Sequence, residues 1–175
     1  MSTLALNGGS KQGVLLRVRS DVPEGTRNQL CPLLNARLAD AIDLQLQAKQ
    51  AHWNVKGPQF IALHQLFDKV AAETAEAVDL LAERVVQLGG VARGTLREVA
   101  RHSSLKDYPL DILAGAQHVE ALALGLAGFA QHLRKDIERC TALRDAGSAD
   151  LLTEISRSTD QSLWFVEAHL EPHAA

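Results

Sequence analysis

The chain has 175 residues, enough for one domain with a substantial core, and its 46% apolar and 22% charged residues are the balance of a globular fold in water. Aromatic residues are scarce at 4% while Ala and Leu abound, which favours helices over a β-sandwich. A net charge of −3 gives the whole molecule no attraction for nucleic acid, and two cysteines without a C-x-x-C pattern exclude a disulfide framework. The longest apolar run, Ala121 to Ala130, is too short to span a bilayer. Nor does the N-terminus pair a basic region with a hydrophobic one as a signal peptide does, so a reducing cytoplasm is the expected setting.

Residues 1–26 read as a separate, flexible tail, broken by Gly8, Gly9, Ser10, Gly13, Pro23 and Gly25, with Val14, Leu15, Leu16 and Val18 giving a short extended segment. Residues 27–175 form the domain. From Asn28 to Asn54, Leu30, Leu33, Leu34, Leu38, Ile42, Leu44 and Leu46 recur at amphipathic-helix spacing. Val55-Lys56-Gly57-Pro58 ends that helix and opens a second, about 59–88, which Gly89-Gly90 terminates. A connection of nearly twenty residues follows, with a short helix over Leu96 to Arg101. The third helix is expected from near Pro109, with Asp111 in its first turn, to about Leu143. After the turn Asp145-Ala146-Gly147-Ser148, a fourth helix runs about 149–170, with Ser148 or Asp150 as cap and Pro172 beyond its end. Four long helices with one long middle crossover make an all-α four-helix bundle of ferritin-like connectivity.

Five metal-type side chains lie between His52 and Glu83. His64/Asp68 and Asp79/Glu83 are i,i+4 pairs, and Asp68 to Asp79 is eleven residues, close to three turns. The four share a sector of roughly 100° on one helix face. Eleven residues also put the pairs ~16 Å apart along the axis, far beyond one metal's reach at ~2.0–2.6 Å. If both pairs serve one site, they come from two copies of this helix packed antiparallel about a two-fold axis near Glu73 and Thr74. Such an interface makes two identical sites. Two imidazoles with three carboxylates suit Fe(II), Mn(II) or Zn(II). A 2-His-1-carboxylate oxygenase is an alternative, whereas the Glu-x-x-His signature of ordinary di-iron bundles occurs nowhere in the chain.

KQAHWNVKGPQFIALHQLFD, AETAEAVDLLAERVVQLGG, YPLDI at Tyr108 to Ile112 and LWFVEAHLE at Leu163 to Glu171 resemble segments of the Dps family, DNA-binding proteins from starved cells. The resemblance covers roughly Leu30 to Glu171 and rests on the long pattern His-x11-His-x3-Asp-x10-Asp-x3-Glu. It implies a hollow dodecamer of ferritin-like subunits in the bacterial cytoplasm, sometimes nucleoid-associated. Its di-iron ferroxidase sites would pair His52, His64 and Asp68 of one subunit with Asp79 and Glu83 of a two-fold neighbour. Fe(II) would be oxidised, preferably by hydrogen peroxide over dioxygen, and stored as ferric mineral, with zinc a competing occupant. Trp53, beside His52, reads as an interface residue by default and, through the resemblance, as an electron donor to stray oxidant.

Two departures from the family pattern stand out. The stretch 114–124, where many members line an entry pore with aspartates, has Glu120 as its one acid. The tail carries Lys11, Arg17, Arg19 and Arg27 against Asp21 and Glu24, so many tails together would hold DNA by avidity at low salt while the acidic shell opposes it. The alternative function is therefore a structural DNA-coating protein with a catalytically silent metal site. Other residues have plainer readings: His118 and His132 as helix-face polar groups, His169 and His173 as a surface tail, Trp164 as packing, and Cys31 and Cys140 as small buried apolar residues.

Overall fold

A computed structural model describes residues 15–170 as five helices and, among those residues, no strand. They are α1 (Glu24–Asn54), α2 (Phe60–Gln87), α3 (Leu96–His102), α4 (Gly115–Ala142) and α5 (Ala146–Glu167). The four long ones form the ferritin-like bundle, and α3 sits within the crossover. α1 packs against α2, α4 and α3, and α5 against α4 and α2.

The core follows helical periodicity. α2 buries Leu63, Phe67, Val70, Ala71, Thr74, Ala77, Leu81 and Val85, steps of three and four along one face, and leaves the opposite face in water. α4 does the same with Val119, Leu122, Leu126, Phe129 and Leu133. α5 meets them through small residues as well, and its Thr159 hydroxyl donates back to the Ile155 carbonyl at 2.8 Å. α1 differs. It has neighbours on several sides, so it buries Arg37, Asp40 and Gln47 along with its leucines.

Those polar residues hold the crossover. The Asn35 side chain donates to the Val91 carbonyl at 3.1 Å and accepts from the Arg93 amide at 2.8 Å. Asp40, fully buried, accepts from Arg37, from His132 Nδ1 at 3.0 Å and from the Ser104 amide at 2.7 Å. Asp43 accepts from the Ser103 hydroxyl, and Gln47 donates to the Lys106 carbonyl. The stretches of the crossover on either side of α3 are thus held by side chains of one helix. His132, expected on a helix face, is part of this clasp.

Several boundaries move from the sequence expectation. α1 starts at Glu24 rather than Asn28, because the Pro23 carbonyl accepts the Thr26 and Arg27 amides, and Pro32 is accommodated inside the helix. Arg27, counted above as a tail charge, is buried and donates to the Val22 and Leu88 carbonyls, tying the start of α1 to the end of α2. The strand-like segment before it runs beside the α2 terminus, where the Leu16 amide donates to the Gly89 carbonyl at 2.7 Å. Gly89 is needed there: its φ is +83°, and a Cβ would stand 2.6 Å from the Leu16 carbonyl oxygen. Residues 1–14, with most of the expected tail, and 171–175, with Pro172 and His173, lie outside the described residues.

α4 begins at Gly115, six residues later than Pro109, because residues 103–114 run non-helically across the bundle end. The Lys56 amide donates to the Leu113 carbonyl at 3.0 Å, and Lys56 bridges Ala114. A Cβ at Gly115 would come within 2.6 Å of Leu63 Cδ1, so a residue without a side chain permits this approach. α5 begins at Ala146, before the expected Ser148 or Asp150 cap. Asp145 holds the N-cap position, and both its carboxylate oxygens accept from Arg84 Nη2, at 2.9 and 3.0 Å.

Candidate metal centre

α1 ends and α2 begins at the same end of the bundle, which brings His52 against His64. Their rings stack with centroids 3.7 Å apart and planes 21° from parallel. Each ring is fixed by the other's backbone: His52 Nδ1 donates to the His64 carbonyl at 2.8 Å, and His64 Nδ1 donates to the His52 carbonyl at 2.8 Å. A carbonyl oxygen only accepts, so the proton sits on Nδ1 in both rings. That leaves Nε2 of each ring as the nitrogen turned to a cation, the arrangement in which metal-binding imidazoles are oriented by a carbonyl behind them.

Asp68 lies one turn after His64, and its Oδ1 is 4.0 Å from His52 Nδ1. It is paired with Lys49, whose Nζ donates to Oδ1 at 2.6 Å. This hydrogen bond holds the Asp68 carboxyl below the usual carboxylate range. Burial opposes the shift, and the charge of Lys49 adds to it. Sequence reading passed over Lys49, although it lies three residues before His52 and so shares its helix face.

Asp79 and Glu83 stand on the same α2 stripe as His64 and Asp68, exposed and without an ion-pair partner among the described residues. The helix runs unbroken from Phe60 to Gln87, so the ~16 Å axial separation holds in the folded chain. Accordingly, among the described residues no three His, Cys, Asp or Glu gather within one chain closely enough to hold a metal ion. At the level of the expected two-fold axis, Glu73 turns to α5, accepting from Ser162 Oγ at 2.6 Å and pairing with Lys69, and Thr74 is buried. On the stripe between the two acidic or imidazole pairs stand two small residues, Ala72, exposed, and Ala75, half-buried.

Next to Glu83, Arg84 anchors the far end of α2 through Asp145 and donates from Nε to Ser148 Oγ at 2.9 Å. Burial pushes the Asp145 carboxyl up, but the hydrogen bonds from Ser148 and Arg84 and the Arg84 charge outweigh it and hold it below the usual range. Trp53 and Ile61 flank the histidine pair with 64% and 60% of their surface exposed, so neither is packed within the chain. Trp164, read as packing, is also 64% exposed. Glu120 is exposed on α4. His118, expected on a helix face, is 1% exposed, and its Nδ1 lies 2.7 Å from the Tyr108 hydroxyl. Its place one turn into α4, four residues before Leu122 on the buried stripe, was the available sign.

Comparison with known proteins agrees with this architecture. Residues 31–173 match the ferritin-like domain family. A DNA protection during starvation protein of Agrobacterium fabrum is 43% identical over 155 residues, covering 89% of this chain and 96% of that one. The solved structure of DpsC from Streptomyces coelicolor superposes with a TM-score of 0.89 at 32% identity, over 93% of this chain and 95% of that chain. Mycobacterium smegmatis Dps gives 0.86 at 30%, over 93% and 98%. A ferritin-like bundle, matched over nearly its whole length both in sequence and in structure, places this chain in the Dps family.

Proposed function

We propose that the chain is a ferroxidase and iron-storage protein whose working unit is a homo-oligomer, a dodecamer by family resemblance. Each site would take His52, His64 and Asp68 from one subunit and Asp79 and Glu83 from its two-fold neighbour. The observation that carries this reading is the histidine pair: two stacked imidazoles, each locked by a backbone carbonyl so that Nε2 is free to bind a cation. Fe(II) is the substrate, bound by mixed nitrogen and carboxylate donors that favour Fe(III) once it forms. Hydrogen peroxide is the expected oxidant, dioxygen the slower one, and zinc a competing occupant. The residues bind and orient the iron, and none is assigned as a proton-transferring base.

Support for the shared site comes from the bare face of α2. Asp79 and Glu83 meet no counter-charge among the described residues, Ala72 and Ala75 allow close helix approach, and Trp53 and Ile61 leave apolar surface beside the histidines for a second copy to cover. Cytoplasmic residence fits the family, and no described helix is long and apolar enough to cross a membrane. The DNA-coating alternative loses ground, because Arg27 is spent on holding α1 to α2, leaving Lys11, Arg17 and Arg19 against Asp21 and Glu24. Protection of DNA is then chiefly the removal of Fe(II) and peroxide.

The direct test is anaerobic Fe(II) loading followed by a peroxide pulse, with ferric absorbance and retained iron read on the same gel-filtered particle. Rapid oxidation with iron kept in a large oligomer is expected. Slow oxidation, no faster than free Fe(II) in buffer, contradicts the ferroxidase and returns weight to the DNA-coating reading.

A further inference from the structure

Tyr108 and His118 form a half-buried pair that the iron site does not use. Tyr108 is the chain's one tyrosine. Its hydroxyl is 2.7 Å from His118 Nδ1, and the rings lie 20° from parallel at 6.1 Å. His118 is 1% exposed, and its Nε2 has no hydrogen-bond partner among the described residues. Burial pushes the Tyr108 phenol well up and the His118 imidazole down, the latter opposed by the Ile112 carbonyl. Both groups are therefore neutral at neutral pH. Among the described residues the phenol has no other hydrogen-bond partner, so its O–H donates to His118 Nδ1, which carries the ring's lone pair.

The pair's chain neighbours touch residues next to the histidine stack. Gly115, one turn or about 5 Å before His118, approaches Leu63, the residue preceding His64. The segment joining Tyr108 to α4 is hydrogen-bonded to Lys56, just past the end of α1. A half-buried phenol with a built-in proton acceptor, joined through these neighbours to a site that meets peroxide, is suited to give up an electron without leaving a charged phenol behind.

We propose that Tyr108 is a redox-active residue that quenches one-electron oxidants of the hydroxyl-radical class, with His118 as its proton acceptor. One electron leaves the phenol and reduces the hydroxyl radical to hydroxide, which takes a solvent proton to become water. The phenolic O–H bond breaks, and its proton moves to His118 Nδ1, giving a neutral phenoxyl radical and an imidazolium. An Fe(II) ion at the site returns the electron and becomes Fe(III), while the proton goes back from Nδ1 to the phenoxyl oxygen. The source of the oxidant rests on the ferroxidase reading; the tyrosine–histidine chemistry does not.

The experiment therefore has two arms on the full chain. In the first, Fe(II)-loaded protein is mixed with peroxide, freeze-quenched and read by electron paramagnetic resonance beside the ferric absorbance. In the second, metal-free protein is oxidised by azide radicals generated in a pulse. In both, a phenoxyl signal with one exchangeable proton coupling is expected, absent in Tyr108→Phe. In His118→Phe or His118→Gln the coupling disappears and phenoxyl formation slows by about a hundredfold, the scale of positioned base assistance. Rapid iron oxidation with no radical, or with only an indole radical from Trp53, overturns the proposal and leaves the ferroxidase standing. If iron is not oxidised at all, the ferroxidase reading fails and the second arm decides: phenoxyl with the exchangeable coupling supports the pair, and its absence overturns it.

Discussion

The two halves of α2 carry metal-type residues in equal number but in unlike surroundings. The N-terminal half, with His64 and Asp68, is organised by its own chain: α1 supplies His52 as a stacking partner and Lys49 as a counter-charge, and backbone carbonyls fix both rings. The C-terminal half presents Asp79 and Glu83 exposed, with no ion-pair partner among the described residues. Yet the helix beneath that half is firmly held, by Arg84 on Asp145 and Arg27 on Leu88. A rigid helix with idle carboxylates is the form expected of a group that serves another subunit, since preorganised ligands need a fixed platform before the partner arrives.

The largest expected effect sharpens that contrast. Replacing an outer hydrogen-bond partner of a metal ligand costs about 10–100-fold, so removing ligands from either half should slow peroxide-driven Fe(II) oxidation by at least about a hundredfold. His52→Ala/His64→Ala and Asp79→Ala/Glu83→Ala should therefore be equally inactive in stopped-flow absorbance, although only the first pair is organised within the chain. Activity retained in the Asp79/Glu83 variant would break the comparison by showing that one half works alone.

A smaller effect concerns the platform. Asp145→Ala leaves the Arg84 guanidinium, 18% exposed, without its carboxylate, and should cost about 3 kcal/mol in denaturant unfolding of the assembled protein. The same pair sets an acid limit. Because the folded-state carboxyl sits below its ordinary value of about 3.9, its contribution is present above that value and is lost as pH falls through the depressed one. Native protein should lose this stability in that acid range, and Asp145→Ala should show no such increment.

The smallest effect lies at Lys49. Removing the ammonium in Lys49→Met frees Asp68 for a cation and should tighten anaerobic Fe(II) binding by about two- to fivefold in calorimetry, the modest scale of an exposed ion pair. Weaker binding would instead make Lys49 a support for Asp68 in its binding position.

Periodicity made the four long helices, the crossover and the shared face of the candidate ligands legible, because leucines at steps of three and four and residues at i,i+4 depend only on local geometry. What it could not supply was long-range pairing. The late start of α4 depends on Leu113 and Gly115 meeting Lys56 and Leu63, more than fifty residues away. The burial of Arg27 depends on the end of α2, and that of His118 on Tyr108 in the crossover. Charged and imidazole residues were read as solvated because their partners lie on other elements, and a single sequence does not name them.

The most direct measurement of the shared site is subunit complementation. Chains carrying His52→Ala/His64→Ala would be mixed one to one with chains carrying Asp79→Ala/Glu83→Ala, unfolded, reassembled and assayed for peroxide-driven Fe(II) oxidation. In a mixed two-fold pair, one site receives both lesions and the other neither. Random assembly should then restore about one quarter of native activity, because half the pairs are mixed and each regains one of its two sites. Activity no higher than that of either parent would contradict a site built from two chains.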